Sequence, residues 1–407
     1  MNLQPNNSHS FSHLQRLLER LDWDSKDYSH LELSLGFLHW YPATFIPNIP
    51  SNLIEVLSSD GDLIWDPFCG AGSVGVEALK RNRTFIGTDI NPIAIDITKA
   101  KLFLCKNLSQ LINVCSALRQ NFIFYSSELA NLEDIIGKKN NDELLAPNNL
   151  KELKEWYARD VFVNLFYIKK YIYNLNCSQD VKNFLNIIFL SVARFVCAQN
   201  KSWGHIADNV KPTDEQKKNK SHLNPFYFFI QQIDRLLSKI TTANSKFETT
   251  ASGDAYIASA ATFKPQSQVD LVITSPPYPW MCDYVTSQRL AYLWSNYSTN
   301  DFLELRSNEA GPRSMRYKKD KAERYTSAII SCFNNIKSNI KNGGLLCMVL
   351  PGALDKNEER KTALSAIYDH LSDNFEKMCY IERFPDLYRR SSPFTTLESE
   401  IISVWRK

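Results

Sequence analysis

Residues 270–278 read Asp270-Leu271-Val272-Ile273-Thr274-Ser275-Pro276-Pro277-Tyr278. The apolar, β-branched run predicts a buried strand. Pro276 and Pro277 end it, because proline has no N–H for a sheet ladder and holds φ near one value. Carbonyls beyond the break have no ladder partners and can face a ligand. Ser275, the Pro276 carbonyl and the Tyr278 ring then meet at the carboxyl end of a strand, where open α/β sheets bind ligands. The chemistry this set suits is methylation of an exocyclic amine on a flat base. Such a nitrogen is a poor nucleophile, since its lone pair is delocalised into the ring. Ser275 Oγ and the Pro276 carbonyl offer acceptors for its two N–H groups and favour a more pyramidal nitrogen. Tyr278 can stack on a base taken out of a helix. Taken alone, the stretch also reads as a strand followed by a proline turn.

A second chemical signal lies earlier. Leu63 to Trp65 predicts a short strand, Asp66-Pro67-Phe68-Cys69-Gly70-Ala71-Gly72-Ser73 a glycine turn, and Val74 to Lys80 the opening of a helix. Thr84 to Thr88 predicts the next strand, ending in Asp89-Ile90-Asn91-Pro92. This is the front of a doubly wound α/β unit. Glycines let a cofactor approach the backbone, and Asp89 at the strand tip can bind both hydroxyls of a ribose. Gly70, Gly72 and Gly75 with a carboxylate about 20 residues on also satisfy the dinucleotide fingerprint. This half alone therefore admits a nicotinamide cofactor as well as S-adenosylmethionine. Two features lean toward the latter: Asp66 just before the turn, placed to meet an amino group, and the Asp-Pro-Phe-x-Gly-x-Gly opening. Gly253-Asp254-Ala255 puts Asp254 near the end of a third strand, positioned for an adenine amino group; a turn aspartate reads equally well.

The elements that must position these residues are legible in outline. The 407 residues are 44% hydrophobic and 22% charged, an ordinary globular composition with room for one large domain and an insertion, or two domains. No apolar run approaches about 18 residues, so no membrane span is expected. Met1 to Ser10 is polar and lacks a signal-peptide core. Nine scattered cysteines form no Cys-x-x-Cys and read as reduced core thiols of a cytoplasmic protein, with no metal site. The net charge of +3 permits nucleic-acid binding through local patches without requiring it.

Leu14, Leu17, Leu18 and Leu21 predict an amphipathic helix, and Ser51 a helix cap. Three parts follow: residues 1–105 hold the lead-in and the cofactor turn, 106–245 a helical insertion, and 246–407 the second half with closing strands. The insertion is far longer than a βαβ connection needs. Its polar run from Asn200 past His205 to Lys220 reads as a solvated loop or a nucleic-acid contact. Residues 306–324 carry Arg306, Arg313, Arg316, Lys318, Lys319, Lys321 and Arg324 against three acids, with Tyr317 interleaved, and suit phosphate contacts. Strands at Leu345–Leu350, Lys377–Arg383 and Ile401–Trp405 finish the chain, the last two predicted as an antiparallel edge.

With both motifs in this order, the chain resembles the S-adenosylmethionine-dependent DNA amino-methyltransferases, the cytosine-N4 group in particular. The resemblance rests on Asp66 to Ser73, on Asp89 as the acidic ribose position, on Gly253-Asp254-Ala255, and on Thr274-Ser275-Pro276-Pro277-Tyr278. His39 to Phe45 is similar to the segment that in many members helps hold the methionine end of the cofactor, with threonine at 44 where lysine is common.

The resemblance implies a Rossmann-like doubly wound sheet of the class I methyltransferase type. It implies a cofactor site at Tyr41, Pro42, Asp66, Phe68, Gly70, Gly72, Ser73, Asp89, Ile90 and Asp254, and a catalytic corner at Ser275, Pro276, Pro277 and Tyr278. The expected substrate is double-stranded DNA with a flipped target base, and a cognate restriction endonuclease is an expected kind of partner. Serine at the first corner position favours cytosine N4, and aspartate or asparagine would favour adenine N6. RNA base methylation, a nicotinamide oxidoreductase and a catalytically silent DNA-binding partner are the competing readings.

Overall fold

The structure is a computed structural model and describes residues 11–23, 38–125, 143–199, 210–242, 249, 251–352, 357–384 and 399–407. Seven strands form one sheet: β1 (Leu63–Asp66), β2 (Thr84–Asp89), β3 (Gly253–Ile257), β4 (Val269–Thr274), β5 (Ile340–Pro351), β6 (Glu376–Arg383) and β7 (Glu400–Arg406). Their order is β3-β2-β1-β4-β5-β7-β6. Neighbours from β3 to β5 are parallel, and β7 runs antiparallel between β5 and β6.

The central strands are apolar on both faces because both faces are covered. Alternate residues sort to opposite sides. Ile64, Leu271, Ile273, Cys347 and Val349 join one core, with the helices Ser73–Lys80 and Pro92–Lys106. Trp65, Val272, Leu346, Met348 and Leu350 join the other, against Ile329, Phe333 and Ile336 of the helix Lys321–Asn339 and Leu364, Ile367 and Leu371 of the helix Glu358–Asn374. The sequence order reverses between β1 and β4, so a crevice opens above their carboxyl ends. Trp65 pairs with Val272, which puts the residues after β1 beside those after β4.

Between β2 and β3 the described chain is helical, as the pattern predicts. The helix Gln179–Val196 lays Phe184, Leu185, Ile188 and Phe189 into the same core as Ile93, Ile97 and Leu104 of the helix Pro92–Lys106. The inserted helices thus share the apolar interior of the sheet's own helices. Residues 200–209 of the polar run, His205 among them, lie outside the described residues.

Three local expectations change. Ser51 lies inside the helix Asn48–Leu57 and accepts a hydrogen bond from Arg81, so it is not a cap. The two last strands do pair, but β7 enters between β5 and β6 and only β6 is an edge. Ile401 to Trp405 are buried without a break because both faces of β7 are covered, whereas β6, at the edge, exposes its first residues. Asp254 is the second residue of β3, paired in register with Ile86, while Ile257 stands opposite Asp89. The strand begins later than the pattern suggested, so Asp254 is not at its carboxyl end.

Gly75 shows how closely the first helix rides on the sheet. A Cβ there would lie 2.6 Å from the Phe85 ring of β2. Gly75→Val is expected to cost about 1–3 kcal/mol through overpacking, read as a lowered midpoint in denaturant unfolding.

Candidate active site

The two motifs meet at the β1–β4 crevice. The Thr274 hydroxyl donates to Asp66 Oδ1 at 2.8 Å, and the Phe68 N–H donates to the same oxygen at 3.1 Å. Asp66 is buried, and burial, opposed by these two hydrogen bonds, pushes its carboxyl up to about 7. Its contacts tie the start of the glycine turn to the last residue before Ser275.

The turn needs its glycines. Gly70 and Gly72 have φ of +46° and +75°, and a Cβ on Gly72 would lie 2.7 Å from Thr98 Oγ1. Thr98 in turn donates to the Gly70 carbonyl at 3.0 Å. Asp89, at the end of β2, is oriented by the backbone: Gly70 N–H donates to Oδ2 at 3.0 Å and Asn91 N–H to Oδ1 at 2.9 Å. Each carboxylate oxygen keeps a further lone pair for a hydroxyl. Burial pushes Asp89 up to about 6. Phe68 and Ile90 are half-buried beside it. Ser73 opens the next helix and donates to the Phe45 carbonyl at 3.3 Å, which fastens the preceding segment to the turn.

Tyr41 and Pro42 are buried. The Tyr41 ring lies on the turn, 3.3 Å from where a Gly70 Cβ would stand. Its hydroxyl accepts from Asn91 Nδ2 at 3.3 Å, and the Tyr292 hydroxyl donates to Asn91 Oδ1 at 2.6 Å. Tyr284 stacks on Tyr41 with centroids 6.3 Å apart. Gln288 joins His39 Nε2 at 2.9 Å and donates to the Trp40 carbonyl at 3.1 Å. The Arg194 guanidinium, from the inserted helix Gln179–Val196, lies 4.1 Å from the Trp40 ring centroid. The segment before the glycine turn is thereby clamped to the segment that follows the diproline corner. Thr44 is exposed, with its hydroxyl on the Tyr41 carbonyl at 2.9 Å.

The corner is braced from three sides. Ser275 Oγ donates to the Val349 carbonyl of β5 at 3.3 Å. Pro276 is buried, and the Pro277 carbonyl accepts from the Tyr325 hydroxyl at 2.9 Å. The half-buried Tyr278 donates its hydroxyl to Glu400 Oε1 at 2.8 Å, and Glu400 Oε2 accepts from Arg383 at 2.9 Å. Burial and the neighbouring Glu400 hold the Tyr278 phenol well above its ordinary range. Both its ring direction and its neutrality are therefore set by the protein.

Of the residues named from sequence, all but Asp254 gather around this crevice. Asp254 is exposed on β3, 3.7 Å from Lys99, with its Oδ1 turned back to the Ala255 N–H at 2.7 Å. Sequence reasoning missed Asn91, Tyr284, Gln288, Tyr292 and Glu400. Asn91 had a signal, an asparagine before Pro92 at a helix start, and its side chain does cap the helix at Ile93 N–H. Glu400 had none, since it stands 122 residues from Tyr278. Among the described residues no group of three or more His, Cys, Asp or Glu could hold a metal ion, and no helix is long and apolar enough to cross a membrane.

The reversed seventh strand, the strand order and the glycine turn at the switch point together define a class I methyltransferase fold. Comparison with known proteins finds likeness over part of the chain. A family model for DNA methylases of the N6/N4 type matches residues 7–100. The type II methyltransferase M.MvaI of Kocuria varians is 28% identical over 202 residues, covering 45% of this chain and 40% of that protein. The orphan methyltransferase M.BamHII of Bacillus amyloliquefaciens is 36% identical over 68 residues, 17% of this chain and 25% of that protein. The chain thus spans less than half the length of these relatives. Among solved structures, the rRNA methyltransferase aviRa of Streptomyces viridochromogenes aligns over 98% of this chain and 96% of its own at 10% identity, with a TM-score of 0.35.

Two outcomes follow from the site's polar network. Glu400→Ala removes the carboxylate partner of the buried Arg383 as well as the Tyr278 contact. It is expected to cost about 3 kcal/mol in denaturant unfolding. Asp66 ionises at higher pH in the folded chain than in the unfolded one, from 3.8 to about 7. The folded state holds the extra proton in that window, so stability falls as pH rises through it and is flat above. Asp66→Asn is expected to remove this part of the fall, measured as thermal midpoint against pH; an unaltered profile would refute it.

Proposed function

We propose that this chain transfers a methyl group from S-adenosylmethionine to the exocyclic amine of a base in duplex DNA, cytosine N4, at a specific sequence. The observation that carries the reading is the hydrogen bond joining Thr274 to Asp66, which makes the diproline corner and the glycine turn two walls of one crevice. The match of residues 7–100 to DNA methylases supports the same chemistry.

The residues around the glycine turn fit this cofactor. Gly70 and Gly72 leave the backbone open to close approach, Asp89 offers acceptors for the ribose hydroxyls, and Tyr41 and Pro42 wall the methionine end. When bound, S-adenosylmethionine supplies a methyl group activated on a sulfonium. The rest of the work falls to the chain. Ser275 Oγ and the Pro276 carbonyl accept from the two N–H groups of the amine and favour a nucleophilic nitrogen. Tyr278, held by Glu400, stacks on the base and fixes its plane. Most of the acceleration comes from positioning and from acceptors arranged in advance. Hydride transfer to a nicotinamide would leave the Ser-Pro-Pro-Tyr corner without a role.

Serine at position 275 is the feature that favours cytosine N4 over adenine N6. Base-resolution mapping of modified positions in DNA from cells expressing the chain tests the choice: N4-methylcytosine at one sequence context is expected, and N6-methyladenine would overturn it. Ser275→Ala and Tyr278→Ala are each expected to lower methyl transfer about 10²-fold or more while cofactor binding persists. Loss of cofactor binding in both would assign the corner to the cofactor pocket instead.

A further inference from the structure

The segment after Tyr278 is stapled to a second turn. Trp280 N–H donates to the Gly311 carbonyl at 2.8 Å, Arg313 N–H to the Cys282 carbonyl at 3.1 Å, and Ser314 N–H to Asp283 Oδ1 at 2.9 Å. Glu309 Oε1 accepts from the N–H groups of Tyr284 and Val285 at 2.5 and 3.2 Å. Gly311 sits at φ +59° against Tyr325, and Pro312 is buried. The turn is therefore held on a rigid seat. Cys282 is four residues from Tyr278, a separation of at most about 14 Å even if fully extended.

From this seat Arg316, Tyr317, Lys318 and Lys319 stand exposed. No acid occurs between residues 310 and 319. Arg316 lies 4.4 Å over the Tyr317 ring, which is 80% exposed. Beyond the turn the charges are matched, Lys321 with Glu359 and Arg324 with Asp320. In the helix Asp214–Lys220 of the insertion, two acids stand among three lysines and Lys217 pairs with Asp214 at 3.5 Å, while Lys211 nearby pairs with Glu155. Like charges crowded on a rigid turn repel each other, and an anionic partner relieves that repulsion.

Building on the reading of the corner as a base site, we propose that Arg316, Lys318 and Lys319 seat the backbone phosphates of duplex DNA beside the extruded base. An extruded base stays tethered to its own phosphates, so cations on a turn fastened to the segment after Tyr278 can meet the strand that feeds the base. These contacts carry no sequence information. They set the register in which the base reaches Tyr278, and they leave sequence readout to other surfaces.

The test is the salt dependence of binding to a fluorescein-labelled DNA duplex, by anisotropy, with the full chain. Three proteins are compared: wild type, R316Q/K318Q/K319Q and K217Q/K218Q/K220Q. Removing three phosphate contacts is expected to make the slope of log K against log salt shallower by about 2.7. Cofactor affinity and thermal midpoint stay at their wild-type values, and the insertion variant keeps the wild-type slope. An unchanged slope in the first variant, or the loss appearing in the second, overturns this proposal and leaves the methyltransferase reading standing. Wild type that binds no duplex at low salt, or binds single-stranded RNA in preference, overturns both.

Discussion

One hydrogen bond organises the crevice: the Thr274 hydroxyl on the buried Asp66 carboxyl. It exists because β4 lies directly beside β1, with Trp65 and Val272 in register. Parallel neighbours deliver their carboxyl ends to the same edge of the sheet, and the reversal of strand order leaves that edge uncovered. A glycine turn leaving one strand and a diproline turn leaving the other then have no course but to face each other. Asp66 tolerates burial there because Thr274 and Phe68 both donate to it and because its carboxyl holds its proton more tightly.

Around that bond, rigidity is supplied from distant parts of the chain. The corner leans on β5 through Ser275, on β7 through Glu400 and on the helix Lys321–Asn339 through Tyr325. The glycine-turn side leans on Asn91, which Tyr41 and Tyr292 share. Tyr292 belongs to the short helix Arg289–Trp294 that follows the corner. Ligand walls on the two sides are thus parts of one network, and displacement of either would be felt by the other. Both walls of the crevice are therefore held in place before any ligand arrives.

The inserted helices bear on this network too. The helix Gln179–Val196 buries its apolar stripe against Pro92–Lys106 and sends Arg194 over Trp40. Arg194 also donates to the Ser287 carbonyl at 3.0 Å. An insertion that only recognised DNA would not need to reach the segment ahead of the cofactor turn. In this chain part of the insertion serves as a buttress for the glycine-turn side of the crevice.

Local features were legible in the residues themselves. The two-residue alternation of the strands, the glycines forced by a left-handed turn, and the proline stop after Thr274 each act through bonds and sterics of near neighbours. They located β1, β2, β4, β6 and β7, the switch-point turn and the corner to within a residue or two, whereas β5 starts at Ile340, five residues before the expected Leu345. Asp254 escaped because the start of an edge strand is set by pairing with β2, not by its own composition. The place of β7 escaped likewise: an apolar strand states that both its faces are covered without saying which strands lie beside it. Glu400, Tyr292 and Gln288 touch the site across long stretches of chain, and only the folded sheet brings them there. Sequence determined which chemistry the crevice could hold, because that depends on residue type and local backbone. Tertiary structure decided what holds the reacting groups still, because that depends on which distant side chains packing delivers to them.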